Sequence, residues 1–188
     1  MARRLLGSST IDPQSIRFAA EPHGKPYVIE PAEARRPFNV AHTDGLVMCG
    51  VGNATHDLVG VDVERLNRRT DPSLADRYFS RPEVRYLSAF RSDIERRNAF
   101  LRIWTLKESF IKAIGTGLQT PLADFAFEEI DSDSPRIKML NPNLESDKSW
   151  TFFSIQPRPG FIGAIAVASK PTGTQVELEL QSFDELMD

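Results

Sequence analysis

The sequence IERRNAFLRIWTLKESFIKAI occupies residues 94–114, and it is the stretch that decides the fold class. Its large apolar side chains recur at helical spacing and fall in one sector of a helical wheel, which predicts an amphipathic α-helix. Gly115 and Gly117 stand where this helix should end, because glycine is common just after the last helical turn. The apolar sector contains Phe100, Ile103, Trp104, Phe110, Ile111, Ile114 and Leu118.

Short β segments are predicted on both sides of this helix. Before the helix, the strands are expected at residues 15–18, 27–30, 38–42, 45–51 and 58–64. After it, they are expected at residues 125–130, 136–140, 150–155 and 161–168. The tail is expected to be mobile or to add an edge strand at residues 176–180. Two short helices are predicted at residues 73–79 and 81–90. Strands, then helices, then strands indicate an α+β fold.

Length and composition restrict the class of protein. The chain has 188 residues and a net charge of −3, which disfavours a general nucleic-acid binder. No apolar run approaches the roughly 20 residues that span a bilayer, so no membrane partner is expected. A single cysteine, Cys49, excludes an internal disulfide and a multi-cysteine zinc site. The expected location is therefore a reducing compartment, most simply the cytosol.

Positive charge is concentrated before and within the first half of the long helix. Residues 65–102 contain ten arginines, no lysine and five acids, a local excess of 10 − 5 = +5. One interpretation is a solvated helical face. The alternative is a docking surface for an acidic partner, whose approach the arginines would accelerate.

The motif Gly60-Val61-Asp62-Val63-Glu64 places two carboxylates in one predicted strand. Side chains alternate along a strand, so Asp62 and Glu64 share one face and the two valines share the other. Carboxylate oxygens at this spacing suit Mg²⁺. The alternative is an ordinary edge strand with solvated acids.

The long helix carries a second charged motif, Lys107-Glu108-Ser109-Phe110-Ile111-Lys112. Glu108 and Lys112 are four residues apart and share one helix face, as in a surface salt bridge. Lys107 falls within the apolar sector, where it must extend to water, pair, or reach a buried anion. A phosphate near Glu108 and Lys112 would explain all three positions. We also expect Trp104 to be largely buried against the strand of Val61 and Val63.

Two weaker motifs, Gly24-Lys25-Pro26 and Phe38-Asn39-Val40-Ala41-His42, complete the pattern. In this order and at these separations, the four motifs resemble the surfactin-synthetase-activator type of 4′-phosphopantetheinyl transferase. The matching run is Gly24-Lys25-Pro26, Phe38-Asn39-x-x-His42, Gly60-Val61-Asp62-Val63-Glu64 and Trp104-x-x-Lys107-Glu108-Ser109-Phe110-Ile111-Lys112-x-x-Gly115-x-Gly117-Leu118.

The resemblance implies an activity and a set of site residues. Members of this family move the phosphopantetheine arm of coenzyme A to a serine of an acyl or peptidyl carrier protein and release 3′,5′-ADP. Asp62, Glu64 and Glu108 correspond to the family's Mg²⁺ ligands. Glu108 also corresponds to the residue that helps to deprotonate the serine, and Lys112 to a lysine that acts beside it at the phosphates.

The resemblance also implies contacts to the coenzyme and to the carrier protein. The residues that correspond to coenzyme contacts are Lys25, His42, Lys107 and Arg3. An acidic carrier protein would dock beside the coenzyme, which suits the arginine-rich residues 65–102. No nucleic acid or membrane is expected as a partner.

The implied architecture is two similar α/β halves packed as a pseudo-dimer, with the coenzyme between them. Residues 1–57 correspond to a shortened N-terminal half, residues 58–170 to the C-terminal transferase domain, and residues 171–188 to an acidic tail. Ala41 stands where many family members have serine. The short first half leaves a second interpretation open, namely an impaired relative that binds carrier protein or coenzyme A without efficient transfer. An unrelated Mg²⁺ phosphohydrolase is a weaker alternative, because the long-helix motif is present.

Overall fold

The computed structural model describes residues 11–171 and 175–182. Within these ranges the α-helices are α1 (Leu74–Tyr78), α2 (Arg81–Ser88) and α3 (Asp93–Ile114). The strands are β1 (Arg17–Ala20), β2 (Pro26–Glu30), β3 (Phe38–Thr43), β4 (Leu46–Val51), β5 (His56–Arg65), β6 (Phe125–Glu128), β7 (Arg136–Met139), β8 (Ser149–Ile155) and β9 (Phe161–Ser169). None of the helices in these ranges is both long and apolar enough to cross a membrane.

The observed elements follow the predicted ones with small shifts at their ends. Each strand predicted between residues 15 and 168 forms, and so do the three helices. The predicted edge strand at residues 176–180 does not form, because residues 175–182 have no regular secondary structure. Val176 instead packs as a single side chain against an apolar cluster of the sheet.

A three-stranded antiparallel sheet in the order β5-β9-β8 is the frame on which the site is built. Its register places Asp62 opposite Ala164 and Glu64 opposite Ile162. The remaining strands pair as the hairpins β1–β2, β3–β4 and β6–β7. This arrangement of antiparallel strands and separate helices confirms the α+β class.

Helix α3 has a recognisable signal at each end. Ser92 precedes it, and the Ser92 side chain accepts a hydrogen bond from the Glu95 amide at 3.4 Å. Asp93 and Glu95 lie in the first turn, where negative charge interacts favourably with the helix dipole. Gly115 follows the last turn with a φ of 72°, and its amide donates to the Ile111 carbonyl. The predicted glycine stop is therefore confirmed.

Helix α3 is buried around more of its circumference than predicted. The β5–β9 part of the sheet lies on one side, and α2 and β6 belong to the same core. The prediction of a single apolar face was wrong, because three polar side chains of the helix also lie inside this core, where they donate hydrogen bonds to backbone carbonyls. These are Thr105, Lys107 and Ser109.

Trp104 belongs to an aromatic stack rather than to the sheet. Its ring centroid lies 6.0 Å from that of Phe100 and 6.5 Å from that of Phe79. The indole is only partly buried. Its predicted contact with Val61 and Val63 was wrong, because strand alternation turns these valines into a second apolar cluster on the other face of β5.

The β3–β4 hairpin covers that other face of the sheet. Ala41 of β3 packs with Val61 of β5, and Asn39 Oδ1 accepts a hydrogen bond of 3.0 Å from the Val61 amide. Residues 11–57 contain the β1–β2 and β3–β4 hairpins and no α-helix. The described residues therefore do not confirm two similar α/β halves.

Gly60 is the point of closest approach between β5 and α3, and it yields a stability prediction. A Cβ at this position would clash with the Ser109 carbonyl oxygen and the Ala113 amide nitrogen. We expect Gly60→Ala to lower the free energy of unfolding by about 3 kcal/mol, the upper part of the range for overpacked cores. Urea denaturation followed by circular dichroism measures this loss.

Gly163→Ala is the matched control for this measurement. A Cβ at Gly163 would have its nearest neighbour, the Asp62 carbonyl oxygen, at 3.0 Å, so a small shift accommodates it. We expect a clearly smaller loss for this variant. Equal losses for the two variants would mean that β5 and α3 separate easily and that the Gly60 contact is not a constraint.

Candidate functional site

Strand β5 brings two acidic side chains under helix α3. Asp62 is 6% exposed and Glu64 is 8% exposed. They alternate with Val61 and Val63, as predicted, and they point to the helix side because Gly60, two residues earlier, touches α3. The two acids are therefore buried and not solvated, although β5 lies at one edge of the three-stranded sheet.

Asp62 is paired through one oxygen only. Lys112 Nζ of α3 lies 2.6 Å from Asp62 Oδ1. The other oxygen, Oδ2, is buried and has no hydrogen-bond partner among the described residues. Burial raises the pKa of Asp62 to about 6, although the Lys112 charge acts to lower it. A buried carboxylate with one unpaired oxygen is costly, and it indicates a place for a further positive group.

Glu108 of α3 belongs to the same cluster. Its negative charge raises the pKa of Asp62, and Lys112, four residues along the helix, lowers the pKa of both carboxyl groups. Burial is the larger effect on Glu108, so its pKa lies above the ordinary value. We refer to Asp62, Glu64 and Glu108 as the acidic cluster.

Arg68 is a second cation at the acidic cluster, and the sequence analysis did not single it out. The turn that follows β5 is closed by a 3.0 Å hydrogen bond from the Arg68 amide to the Arg65 carbonyl. This turn returns the Arg68 guanidinium to Glu64, with which it forms an ion pair. In the sequence, the one indication of this ion pair is that Arg68 stands four residues after Glu64, at the end of a predicted strand. Arg68 is also one of the ten arginines spread over residues 65–102.

The acidic cluster has the chemistry of a divalent-cation site. Its carboxylates are hard oxygen ligands of the kind that Mg²⁺ takes, and the unpaired Asp62 Oδ2 is available to a cation. In residues 11–171 and 175–182, however, no three His, Cys, Asp or Glu side chains lie together as a ready ligand set. The carboxylates face Lys112 and Arg68 instead. Among the described residues, the three carboxylates of the cluster are accompanied by only these two cationic side chains, so the cluster carries an excess of negative charge.

Lys107 lies elsewhere, in the core between α3 and α2. Its ammonium is 0% exposed and lies 2.9 Å from Glu83 Oε2. It also donates to the Leu122 and Phe125 carbonyls, each at 2.7 Å. Burial lowers the pKa of Lys107 to about 8, and the Glu83 charge opposes that shift. All three bonds of the Lys107 ammonium are internal, and its buried anion is a glutamate. The coenzyme contact that the resemblance implies for Lys107 stays a prediction, which this geometry does not favour.

Lys25 is also directed into the protein. Its Nζ donates to the Val59 carbonyl at 3.2 Å and to the Ala113 carbonyl near the C-terminal end of α3. Burial lowers the pKa of Lys25 to about 8, although Glu21 acts to raise it. A lysine at this helix end interacts favourably with the helix dipole. The structure therefore gives Lys25 a structural role and does not bring it to the acidic cluster.

His42, a further predicted coenzyme contact, is not part of the acidic cluster either. His42 is exposed on β3, opposite Val47, whereas the adjacent Ala41 faces the core. Arg3 lies outside the described residues. The structure thus unites Asp62, Glu64, Glu108 and Lys112, and it separates Lys25, His42 and Lys107 from them.

Comparison with known proteins shows the family to which the chain belongs. Residues 58–181 match the family model described as the 4′-phosphopantetheinyl transferase superfamily. A 4′-phosphopantetheinyl transferase of Bacillus subtilis is 33% identical over 69% of this chain and 54% of its own length. The 4′-phosphopantetheinyl transferase Sfp of Bacillus subtilis (strain 168) is 34% identical over 94% of this chain and 73% of its own. The chain belongs to this superfamily.

Among solved structures, a holo-(acyl-carrier-protein) synthase from Bacillus anthracis in complex with coenzyme A (3′,5′-ADP) aligns with a TM-score of 0.47. It is 17% identical and covers 60% of this chain and 96% of its own. The match covers between 47% and 73% of the length of four of its curated relatives.

The Lys107–Glu83 pair yields a second stability prediction. We expect Lys107→Met to lower the free energy of unfolding by about 3–5 kcal/mol, because it leaves a buried carboxylate without its cation. Adding Glu83→Gln should restore part of this loss, since it removes the unpaired buried charge, and its single amide oxygen can still accept from one of the two backbone amides, Ser80 or Phe127, that donate to Glu83. Guanidinium denaturation of the two single variants and the double variant gives the coupling.

Titration of coenzyme A into the folded double variant is the accompanying control. If Lys107 is structural, the coenzyme A dissociation constant should match that of the unaltered chain. A marked weakening in a variant with normal folding cooperativity would return Lys107 to the coenzyme contacts.

Proposed function

We propose that this chain transfers the 4′-phosphopantetheine group of coenzyme A to a serine of an apo acyl or peptidyl carrier protein. The serine oxygen forms a bond to the phosphorus that carries the pantetheine arm. The bond from that phosphorus to 3′,5′-ADP breaks, and the serine proton passes to a base. The observation that carries this proposal is the meeting of Glu108 with Asp62 and Lys112 in a chain of the transferase superfamily.

Glu108 is the proposed base. It is half-buried, and burial raises its pKa, so it accepts a proton more readily than an exposed glutamate. General bases are most effective when their pKa lies close to the working pH. Lys112, one turn further along α3, is the proposed partner of the phosphate oxygens. It holds Asp62 by an ion pair and keeps a partly exposed side chain.

Asp62, Glu64 and Glu108 are the residues that would hold Mg²⁺. A bound Mg²⁺ supplies charge neutralisation on the pyrophosphate of the coenzyme. Support comes from the oxygen chemistry of the cluster, its excess negative charge and the unpaired Asp62 Oδ2. His42 and Arg3 remain proposed contacts to the coenzyme on the basis of the family resemblance.

The proposed carrier-docking surface is the arginine-rich segment next to the cluster. Arg77, Arg81, Arg85 and Arg91 are exposed around α1 and α2. An acidic carrier protein would be attracted to this surface by long-range electrostatic steering. Arg68 lies near the start of the segment and already contacts the acidic cluster, so a docked carrier would bring its serine towards Glu108.

A second candidate function is binding of coenzyme A or a carrier protein without efficient transfer. One observation favours it: Lys25 and Lys107, two of the predicted coenzyme contacts, direct their hydrogen bonds into the protein. The three acids favour the transferase, because binding alone gives no need for a carboxylate cluster.

Transfer is tested by incubating the chain with coenzyme A, Mg²⁺ and an apo carrier protein, and by measuring the intact mass of the carrier. We expect the carrier to gain one phosphopantetheine. Asp62→Ala and Glu108→Ala should each slow this gain by at least about a hundredfold, the lower end of what a lost general base costs. Glu64→Ala should slow it by a smaller, variable factor.

Glu33→Ala is the matched control, because it removes an exposed carboxylate far along the chain from the cluster. This variant should transfer at the unaltered rate. Coenzyme A binding by the unaltered chain with no mass gain on any carrier would support the binding-only function. Full activity in Glu108→Ala would exclude Glu108 as the base.

A further inference from the structure

Arg68 occupies the position at which a cation would reach Glu64. Its guanidinium contacts Glu64 Oε1, and the Glu64 side chain is otherwise almost enclosed. Arg68 itself is 47% exposed and stands on a turn rather than in a helix or strand. One end of this ion pair is thus held in the core, while the other end is free to leave.

We propose that Arg68 competes with the divalent cation for the acidic cluster and must move away before the cation binds. In this assignment Arg68 is a positioning residue. It balances the charge of Glu64 when no metal is bound and lowers the affinity of the cluster for metal. The inference rests on the proposed function, because it takes Asp62, Glu64 and Glu108 as the metal-holding residues.

Two features of the cluster support competition rather than cooperation. First, the carboxylates do not form a ready ligand set in the described residues, although three of them lie around Lys112 and Arg68. Second, a guanidinium and Mg²⁺ both require carboxylate oxygens, and Glu64 Oε1 already accepts from Arg68. Asp62 Oδ2 remains without a partner on the same side of β5. The cluster therefore lacks one positive charge at Asp62 Oδ2, while Arg68 already occupies an oxygen of Glu64 that a metal ion would need.

Arg68 is better suited to this role than Lys112. Lys112 holds Asp62 at 2.6 Å from within α3, and its side chain is 31% exposed. Arg68 is the more exposed of the two cations and belongs to a turn, so less packing opposes its movement. The positive charge released from Glu64 would then lie next to the site, available to an anionic substrate.

The test is a titration of the chain with Mn²⁺ alone, with free Mn²⁺ measured by electron paramagnetic resonance. We expect Arg68→Gln to bind Mn²⁺ about three- to tenfold more tightly than the unaltered chain, the range that separates an exposed ion pair from a buried charged hydrogen bond. Arg68→Lys should stay close to the unaltered chain. Adding Asp62→Asn to Arg68→Gln should remove the gain and so locate the metal at the cluster.

Arg69→Gln is the matched control, because it removes the same charge from the adjacent, exposed residue. A general electrostatic effect would tighten Mn²⁺ binding equally in Arg68→Gln and Arg69→Gln, and that result would overturn the proposal. So would weaker binding in Arg68→Gln, or the absence of Mn²⁺ binding in both this variant and the unaltered chain.

The carrier-mass assay on the unaltered chain separates this result from the proposed function. Phosphopantetheine transfer without tighter Mn²⁺ binding in Arg68→Gln would remove the role of Arg68 and leave the transferase in place. Tighter Mn²⁺ binding without transfer would retain the competing arginine and favour the binding-only function.

Discussion

The contact of bare backbone at Gly60 with helix α3 is the constraint on which the site depends. Ser109 and Ala113, one helical turn apart, meet Gly60. Glu108 and Lys112 precede them by one residue each, so they flank the same line of contact. Strand alternation then places Asp62 beside Lys112. A side chain at position 60 would push the two elements apart and separate carboxylates that belong to different parts of the sequence.

Burial of the acidic cluster follows from this contact and gives the site its electrostatic character. Close packing of α3 on β5 excludes water from Asp62, which raises its pKa to about 6, and the same exclusion raises the pKa of Glu108. Negative charges in such a place must be balanced nearby. Lys112 and Arg68 supply that balance from a helix and from a turn. The fold thus encloses a negative cluster whose charge is partly balanced by positive side chains of the chain itself.

Local patterns of the sequence predicted the elements and half of the site. The helix of residues 94–114, its glycine stop and the shared face of Asp62 and Glu64 depend only on periodicity and on residues close together in sequence. The partners of Lys107 could not be predicted this way, because Glu83 and the Phe125 carbonyl reach it from α2 and from the start of β6. The predicted packing of Trp104 was wrong for the same reason, because its ring stacks with Phe79, which lies far from it in the sequence. Arg68 was hidden because a turn, and not a helix, returns it to Glu64.

The lysines of this fold have two different kinds of partner. Lys107 is enclosed and Lys25 is partly buried, and both donate to backbone carbonyls, so their charges stabilise the junctions of α3 with the core and with the β1–β2 hairpin. Lys112 keeps part of its side chain in solvent and touches the acidic cluster with one bond. Arg68, on a turn, is freer still. The exposure of the cation side chains therefore increases from Lys107 through Lys112 to Arg68. The family motifs contain lysines of both kinds, and their partners distinguish them: Lys25 and Lys107 donate to backbone carbonyls, whereas Lys112 donates to the Asp62 carboxylate.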